Sequence, residues 1–225
     1  MRHRILALVA LAALLVPVLP AAAATGPGDG GSYRFSATGM GAEAVWSTLP
    51  VDGPMVTNVV YVDTYLFTAD QAVKQDGTVY SDKFLFVDQI SYKVDRRGNW
   101  VFVAETFGFA GGNDVSLSVD RQLASASASA NVALATCSLG RHGSYTCEDA
   151  GIGSVEASWI GEGDILRQSG TFHYGSTGFT ENGQFRGSFR NASADGSLNG
   201  GSLGASLFAD IFSSSSRDIF ICHGC

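Results

Sequence analysis

Apolar residues along this chain recur every second position rather than every third or fourth. In Lys83–Asp95, KFLFVDQISYKVD, Phe84, Phe86, Ile90, Tyr92 and Val94 share one parity, while Val87, Gln89, Ser91 and Lys93 share the other. Asn58–Thr68 (NVVYVDTYLFT) and Trp100–Phe109 (WVFVAETFGF) are similarly rich in aromatic and β-branched residues. Such segments suit a pleated, half-buried surface and read as strands. Asp76-Gly77 and Asn182-Gly183 are tight-turn dipeptides, and Arg97-Gly98-Asn99 separates two strand-like runs as a short hairpin loop.

Leu123–Ala135, LASASASANVALA, is the one ambiguous stretch, because alanine favours helix. A helix would spread the serines around its whole surface. A strand places Ala124, Ala126, Ala128, Ala130, Val132 and Leu134 on one face and the serines with Asn131 on the other, so the segment is read as a strand. Its small side chains would let a facing layer approach closely. Ala69–Gln75 has room for a single helical turn. Many short strands with glycine-rich turns predict an all-β fold, a β-sandwich or a barrel, and of these the β-sandwich is preferred.

An internal echo refines the organisation. GMGAEAVW at 39–46 and GIGSVEASW at 151–159 share Gly-apolar-Gly followed by Glu-Ala-x-Trp, about half the chain apart. This predicts two related β-rich halves, 33–120 and 121–225, with Trp46 and Trp159 in equivalent buried positions.

The first 24 residues depart from the period-two pattern. Arg2 and Arg4 precede an unbroken apolar run from Ile5 to Val16; Pro17, Pro20 and a run of alanines follow. This is the layout of a signal peptide cleaved near Ala24, and the run is short for a membrane span. Residues 25–32, TGPGDGGS, read as a flexible leader. The mature chain is therefore expected to be secreted and extracellular, with no membrane span after signal cleavage.

Composition narrows the function classes. The chain of 225 residues carries 14 Lys+Arg against 21 Asp+Glu, a formal net charge of −7. Loss of Arg2 and Arg4 makes the mature chain more acidic still. Nucleic acid is not an expected partner, because nothing here would neutralise a phosphate backbone. With 45% hydrophobic residues the chain has ample material for a core.

Export directs the four cysteines toward disulfides. Cys137 ends the Ala/Ser strand and Cys147 opens the next segment, with Gly140 and Gly143 between them available to turn. The expected pairs are Cys137–Cys147 and Cys222–Cys225. The rivals for the second pair are a metal or redox role with His223, but a zinc site wants four ligands and the chain stops after Cys225.

The runs VDRQLASASASANVALATC, VEASWIGEGD and FICHGC resemble uncharacterised secreted all-β proteins of actinobacterial type. That resemblance implies export and a β-rich fold, and nothing about mechanism.

Candidate chemistry is sparse. His142, His173 and His223 are accompanied by many serines but by no Gly-x-Ser-x-Gly elbow. Asp88 and Glu105 lie on strands that read as hairpin partners, each at the parity of apolar neighbours, and are the candidate carboxylate pair for glycoside hydrolysis. Asp76, Asp82, Asn113 and Asp114 offer oxygens without forming a recognised calcium loop. Asn191-Ala192-Ser193 is a glycosylation sequon. No catalytic residue, metal ligand or cofactor is assigned.

Aromatic residues concentrate in the first half: Tyr61, Tyr65, Phe67, Phe84, Phe86, Tyr92, Trp100, Phe102, Phe107 and Phe109. One face of a sheet cannot take all of them into a single core. The economical expectation is that both faces are covered; an exposed row would instead stack on sugars or a partner. The sequence thus predicts a non-enzymatic β-domain that binds a glycan, envelope component or protein. The alternative is an extracellular hydrolase using strand carboxylates.

Overall fold

The computed structural model describes residues 31–50, 56–140 and 143–222. The signal segment, the 25–30 part of the leader, His142, His223 and Cys225 lie outside these residues, as does the side chain of Cys222. Eleven strands account for nearly all of the described chain: β1 (Ser32–Ser47), β2 (Val60–Gln75), β3 (Thr78–Val94), β4 (Trp100–Gly111), β5 (Val115–Val119), β6 (Ser125–Leu139), β7 (Tyr145–Gly161), β8 (Leu166–Gly175), β9 (Phe179–Leu198), β10 (Gly201–Ser202) and β11 (Ser206–Cys222). A 3-10 turn at Gly112–Asp114 separates β4 from β5. Among the described residues no helix is long and apolar enough to cross a membrane.

All strands belong to one antiparallel sheet. It runs from β11 through β1, β2, β3 and β4 to β6, then to β7, and β7 pairs with β9 along Val155–Gly161. The Phe179–Asn191 part of β9 pairs with β11, so the ladder returns on itself. The result is a closed ring rather than the two facing sheets of a sandwich. Period-two alternation specifies which face is buried. It does not distinguish a second sheet from the far wall of the same one, and this is why the preference for a sandwich was too specific while the all-β class stands. Strands from both expected halves share the ring and its core.

The core fills the ring. Ala42, Ala44 and Trp46 of β1 meet Leu66 of β2, Leu85 and Val87 of β3, Val155 and Trp159 of β7, and Ile211 of β11. The Ala/Ser segment is a strand, with Ala126, Ala128, Ala130, Val132 and Leu134 buried and Ser125, Ser127, Ser129 and Asn131 exposed. Ala124 is exposed, because β6 begins one residue later. Alanines on so many walls leave room for two indoles, and both Trp46 and Trp159 are fully buried. Each indole N–H has a carbonyl partner: Trp46 donates to Ala194 at 3.2 Å and Trp159 to Glu43 at 2.9 Å.

Two local expectations need correction. Ala69–Gln75 is strand, paired with β1 and β3 along its whole length, so cross-strand pairing overrides any helical tendency there. Asn182-Gly183 is no turn but the middle of a ladder, with Gly183 opposite both Phe172 and Asp218. A Cβ on Gly183 would fall 2.2 Å from the Phe172 ring and 2.3 Å from the Asp218 carboxylate. Glycine is needed for close approach, not for curvature. Asp76-Gly77 does turn, with φ of 46° and 96°, and joins Gln75 directly to Thr78. The loop after Val94 also forms, with the Asp95 carboxylate accepting from the backbone N–H groups of Arg97 and Asn99 at 2.8 Å each. Those hydrogen bonds with Asn99 and the Arg97 amide hold the Asp95 carboxyl below the usual range.

Candidate binding face

Strand parity dictates what stands outside the ring. With Leu66, Leu85, Val87 and Ala110 pointing inward, the alternate positions Tyr65, Phe67, Phe84, Phe86, Phe107 and Phe109 must point outward. The rings lie against one another across the strands: Phe67 and Phe84 centroids are 5.6 Å apart, Phe84 and Phe109 stack at 6.2 Å, and Phe67 and Phe212 stack at 5.6 Å. Phe212 reaches across β1 at Gly41, where a Cβ would come within 2.6 Å of its ring. Phe212 is thereby only 1% exposed, although it stands on the outer side of the sheet.

The cover stops there. Phe109 is 56% exposed, and Phe107, Ile90 and Trp100 are exposed as well. The register continues the row from Phe86 through Phe109 and Ala133 to Ile152, which is 80% exposed. The expectation that both faces are covered therefore fails for this stretch. The ring consumes one face of β3 and β4, and among the described residues no second layer covers the other.

Carboxylates interrupt the row. Asp88 pairs with Phe107, and Glu105 stands two residues along β4, opposite Ile90. The two acids are diagonal neighbours, about 7 Å apart at Cβ by strand geometry. The structure thus brings together the carboxylates singled out in the sequence. Burial, and then the charge of Glu105, push the Asp88 carboxyl up to about 6. Its Oδ1 is buried without a hydrogen-bond donor. Glu105 accepts a hydrogen bond from the hydroxyl of Tyr145, a residue of β7.

A second acidic pair went unnoticed in the sequence. Glu43 of β1 and Asp210 of β11 are directly opposite each other on the same outer side. Glu43 is only 6% exposed and accepts a hydrogen bond from the Tyr65 hydroxyl at 2.7 Å. Burial raises the Glu43 carboxyl, and burial together with the charge of Glu43 pushes Asp210 up to about 7. Burial and Glu43 raise the Tyr65 phenol too. Asp210 Oδ1, like that of Asp88, is buried and has no donor among the described residues. Among the described residues none of these four carboxylates has a Lys or Arg within ion-pair distance; the ion pair present joins Lys83 and Asp70 at 3.8 Å. The available signal was parity: Glu43 alternates with Ala42, Ala44 and Trp46, which marks it as outward-facing. Its pairing with Asp210 required knowing that the last strand returns to the first.

The remaining candidates are dispersed. His173 sits on β8 with its Nδ1 2.6 Å from Oδ1 of Asn182, its cross-strand neighbour. Asp76 accepts the backbone N–H of Arg34 and Asp82 that of Gly112, each at 3.1 Å, so both loop acids hold backbone. Among the described residues no group of three or more His, Cys, Asp or Glu is placed to hold a metal ion. The Cys137–Cys147 disulfide is present between directly paired residues of β6 and β7. The Cys222–Cys225 pair falls outside the described residues. Asn191 of the sequon is exposed on β9.

No family model matches the chain, and no curated protein matches its sequence. Among solved structures, an acetoacetate decarboxylase-like enzyme from Sphingomonas wittichii aligns over 84% of this chain and 91% of its own, at 10% identity and a TM-score of 0.30. The β domain of the Bordetella autotransporter BrkA aligns over 86% and 99%, at 11% identity and a TM-score of 0.14. At such scores neither match bears on fold or function.

Proposed function

We propose that the protein is an exported, non-enzymatic β-domain that binds glycan on the outer face of β2, β3 and β4. The observation that carries this reading is the exposed row of Phe107 and Phe109, beside which stand the half-buried acids Asp88 and Glu105. Aromatic faces cover the C–H surface of a pyranose ring. The exposed parts of the Asp88 and Glu105 carboxylates can accept hydrogen bonds from its hydroxyls. A protein partner suits the site less well, because the cores of protein interfaces are depleted of acidic residues. Affinity electrophoresis of the secreted chain in gels containing neutral polysaccharides tests the assignment. Phe109→Ala is expected to weaken retardation at least tenfold, and Asp88→Ala to do so independently. Retardation unchanged in both variants, or absent from the unmodified protein across neutral polysaccharides, would overturn it.

One observation supports a second reading. A carboxyl raised to about 6 beside another acid is the arrangement a glycosidase uses for its general acid. Against it, Asp88 and Glu105 stand on the outer wall of the ring rather than in a cleft, and the Tyr145 hydroxyl occupies Glu105. Release of reducing ends that is abolished by both Asp88→Asn and Glu105→Gln would favour hydrolysis over binding.

A further inference from the structure

Past the closed part of the ring, β8, β9, β11, β1, β2 and β3 run on as a six-stranded sheet. The side of this sheet continuous with the ring's interior changes character completely. Parity is unbroken from Ala42 outward along β1, so Thr38, Ser36 and Arg34 stand on the same side as the core. The register then aligns one row of Thr171, Gln184, Arg217, Ser36 and Lys74 across five strands. The next row outward holds His173, Asn182, Ile219 and Arg34, and the next row inward holds Arg186 between Ser169 and Ser215.

Charge is sorted by face. Arg34, Lys74, Lys83, Arg167, Arg186 and Arg217 stand on this side; its acids are Asp70, paired with Lys83, and Asp76, bonded to the Arg34 amide. The opposite side of the same strands carries Glu43, Glu181, Asp210 and Asp218 with the phenylalanines. A protein of net charge −7 thus presents a basic surface here. None of Arg34, Lys74, Arg186 and Arg217 has a carboxylate within ion-pair distance among the described residues. An open trough of about 780 Å³ lies over three of them, with Arg34, Lys74 and Arg217 in its lining beside Ser36, Asn182 and Gln184.

We propose that this trough is a second binding site, separate from the aromatic face, and that it takes an acidic polysaccharide. Arg217 and Lys74 flank Ser36 on consecutive strands, about 10 Å apart by strand spacing. That arrangement meets oxyanions repeated along a chain rather than one compact anion. The guanidinium of Arg217 presents paired donors to a carboxylate or phosphate, and Lys74 acts as a point charge. The intervening hydroxyl and amide side chains suit sugar hydroxyls. Single-stranded nucleic acid fits poorly, since its binding sites need several rings on which bases stack, and the Phe and Tyr side chains of these strands take the opposite parity, leaving His173 alone on this side. The shared ligand chemistry is a sugar chain carrying carboxylates or phosphodiesters.

Isothermal titration of the full secreted chain with polygalacturonate, poly(glycerol phosphate), neutral dextran and a single-stranded oligonucleotide separates the possibilities. The expected result is binding to one or both anionic polymers, weakened at least tenfold between 50 and 300 mM salt, while any heat from dextran is the same in the unmodified chain and in the trough variant that follows. Arg34→Ala combined with Lys74→Ala and Arg217→Ala is expected to reduce affinity at least tenfold. The charge-preserving Lys74→Arg is expected to retain it, and Arg121→Gln, in a turn away from the trough, to leave it unchanged. The same triple variant should bind at the aromatic face as before, and Phe109→Ala should leave polyanion binding intact, so each site fails or stands alone. Affinity unchanged in the triple variant, binding insensitive to salt, or tighter binding of the oligonucleotide would overturn the assignment.

Discussion

Trp159 of β7 donates its indole N–H to the main-chain carbonyl of Glu43 on β1, at 2.9 Å. The bond passes through the filled interior of the ring and ties walls that are not neighbours in the sheet. It also links the two segments that echo each other in the sequence, because Trp46 and Glu43 belong to the first and Trp159 to the second. Replacing Trp159 by Phe removes the donor and part of the ring volume while leaving a buried carbonyl without this partner. The expected cost is about 2–4 kcal/mol, combining a lost buried hydrogen bond with a cavity. Urea denaturation followed by tyrosine and residual tryptophan fluorescence measures it; a loss below about 1 kcal/mol would show that the bond is not a significant tie.

Asp210 and Asp88 make stability pH-dependent in a direction opposite to the common one for carboxylates. Both carboxyls are raised in the folded chain, to about 7 and about 6, above the value of an unfolded aspartate near 4. Between those limits the folded state binds more protons than the unfolded one. Stability from these groups is therefore complete below about pH 4 and declines as pH rises toward 7. Asp210→Asn removes the larger part of this slope. It is expected to be more stable than the unmodified protein at pH 8 and indistinguishable from it at pH 4. Thermal midpoints recorded from pH 4 to 8 check this, and parallel curves for the two proteins would contradict it.

What could be read in the sequence follows from what parity encodes. The inward alanines of β6 and the outward serines are visible in the string Ser-Ala-Ser-Ala-Ser-Ala, because strand geometry converts alternation directly into faces. The nearness of Asp88 and Glu105 was legible for the same reason, through a hairpin with a recognisable loop at Arg97-Gly98-Asn99. Closure of the ring was not. It depends on β9 changing partner near Asn191, from β11 to β7, and nothing in the local pattern marks that exchange. Glu43 with Asp210, and the basic trough, were hidden with it, since both need the first and last strands side by side. Gly183 misled because a glycine's permissiveness serves close contact as readily as a turn.

Gly41 offers a direct test of how the aromatic cover is held in place. A Cβ there would lie 2.2 Å from the Thr68 carbonyl oxygen and 2.6 Å from the ring of Phe212. The carbonyl belongs to the ladder and cannot retreat, and Phe212 is stacked on Phe67. Gly41→Ala is expected to destabilise by about 2–3 kcal/mol through overpacking, whereas Phe212→Leu in the same background should recover part of the loss. Denaturation midpoints of the single and double variants decide it: additive losses would mean that the ring is not the obstacle.

The Cys137–Cys147 bond closes the β6–β7 hairpin across a sequence separation of 10. In the chain-entropy account, cross-linking a loop of this size is worth about 2.5–3 kcal/mol. Its position gives it a second effect. Cys137 is fully buried opposite Glu105, and Tyr145, two residues before Cys147, donates its hydroxyl to that same Glu105. Opening the hairpin loosens the tyrosine from the carboxylate, so the candidate binding face is disturbed along with stability. Cys137→Ala combined with Cys147→Ala is expected to lower the unfolding free energy by about 2–4 kcal/mol, since a buried sulfur is also lost from the hairpin. It should also weaken glycan retardation more than Tyr145→Phe alone, which removes one hydroxyl. Peptide mapping without reductant should recover a fragment joining Cys137 to Cys147. A fragment joining either of them to Cys222 or Cys225 would refute this connectivity, and equal stability of the double variant and the unmodified chain would refute the energetic role.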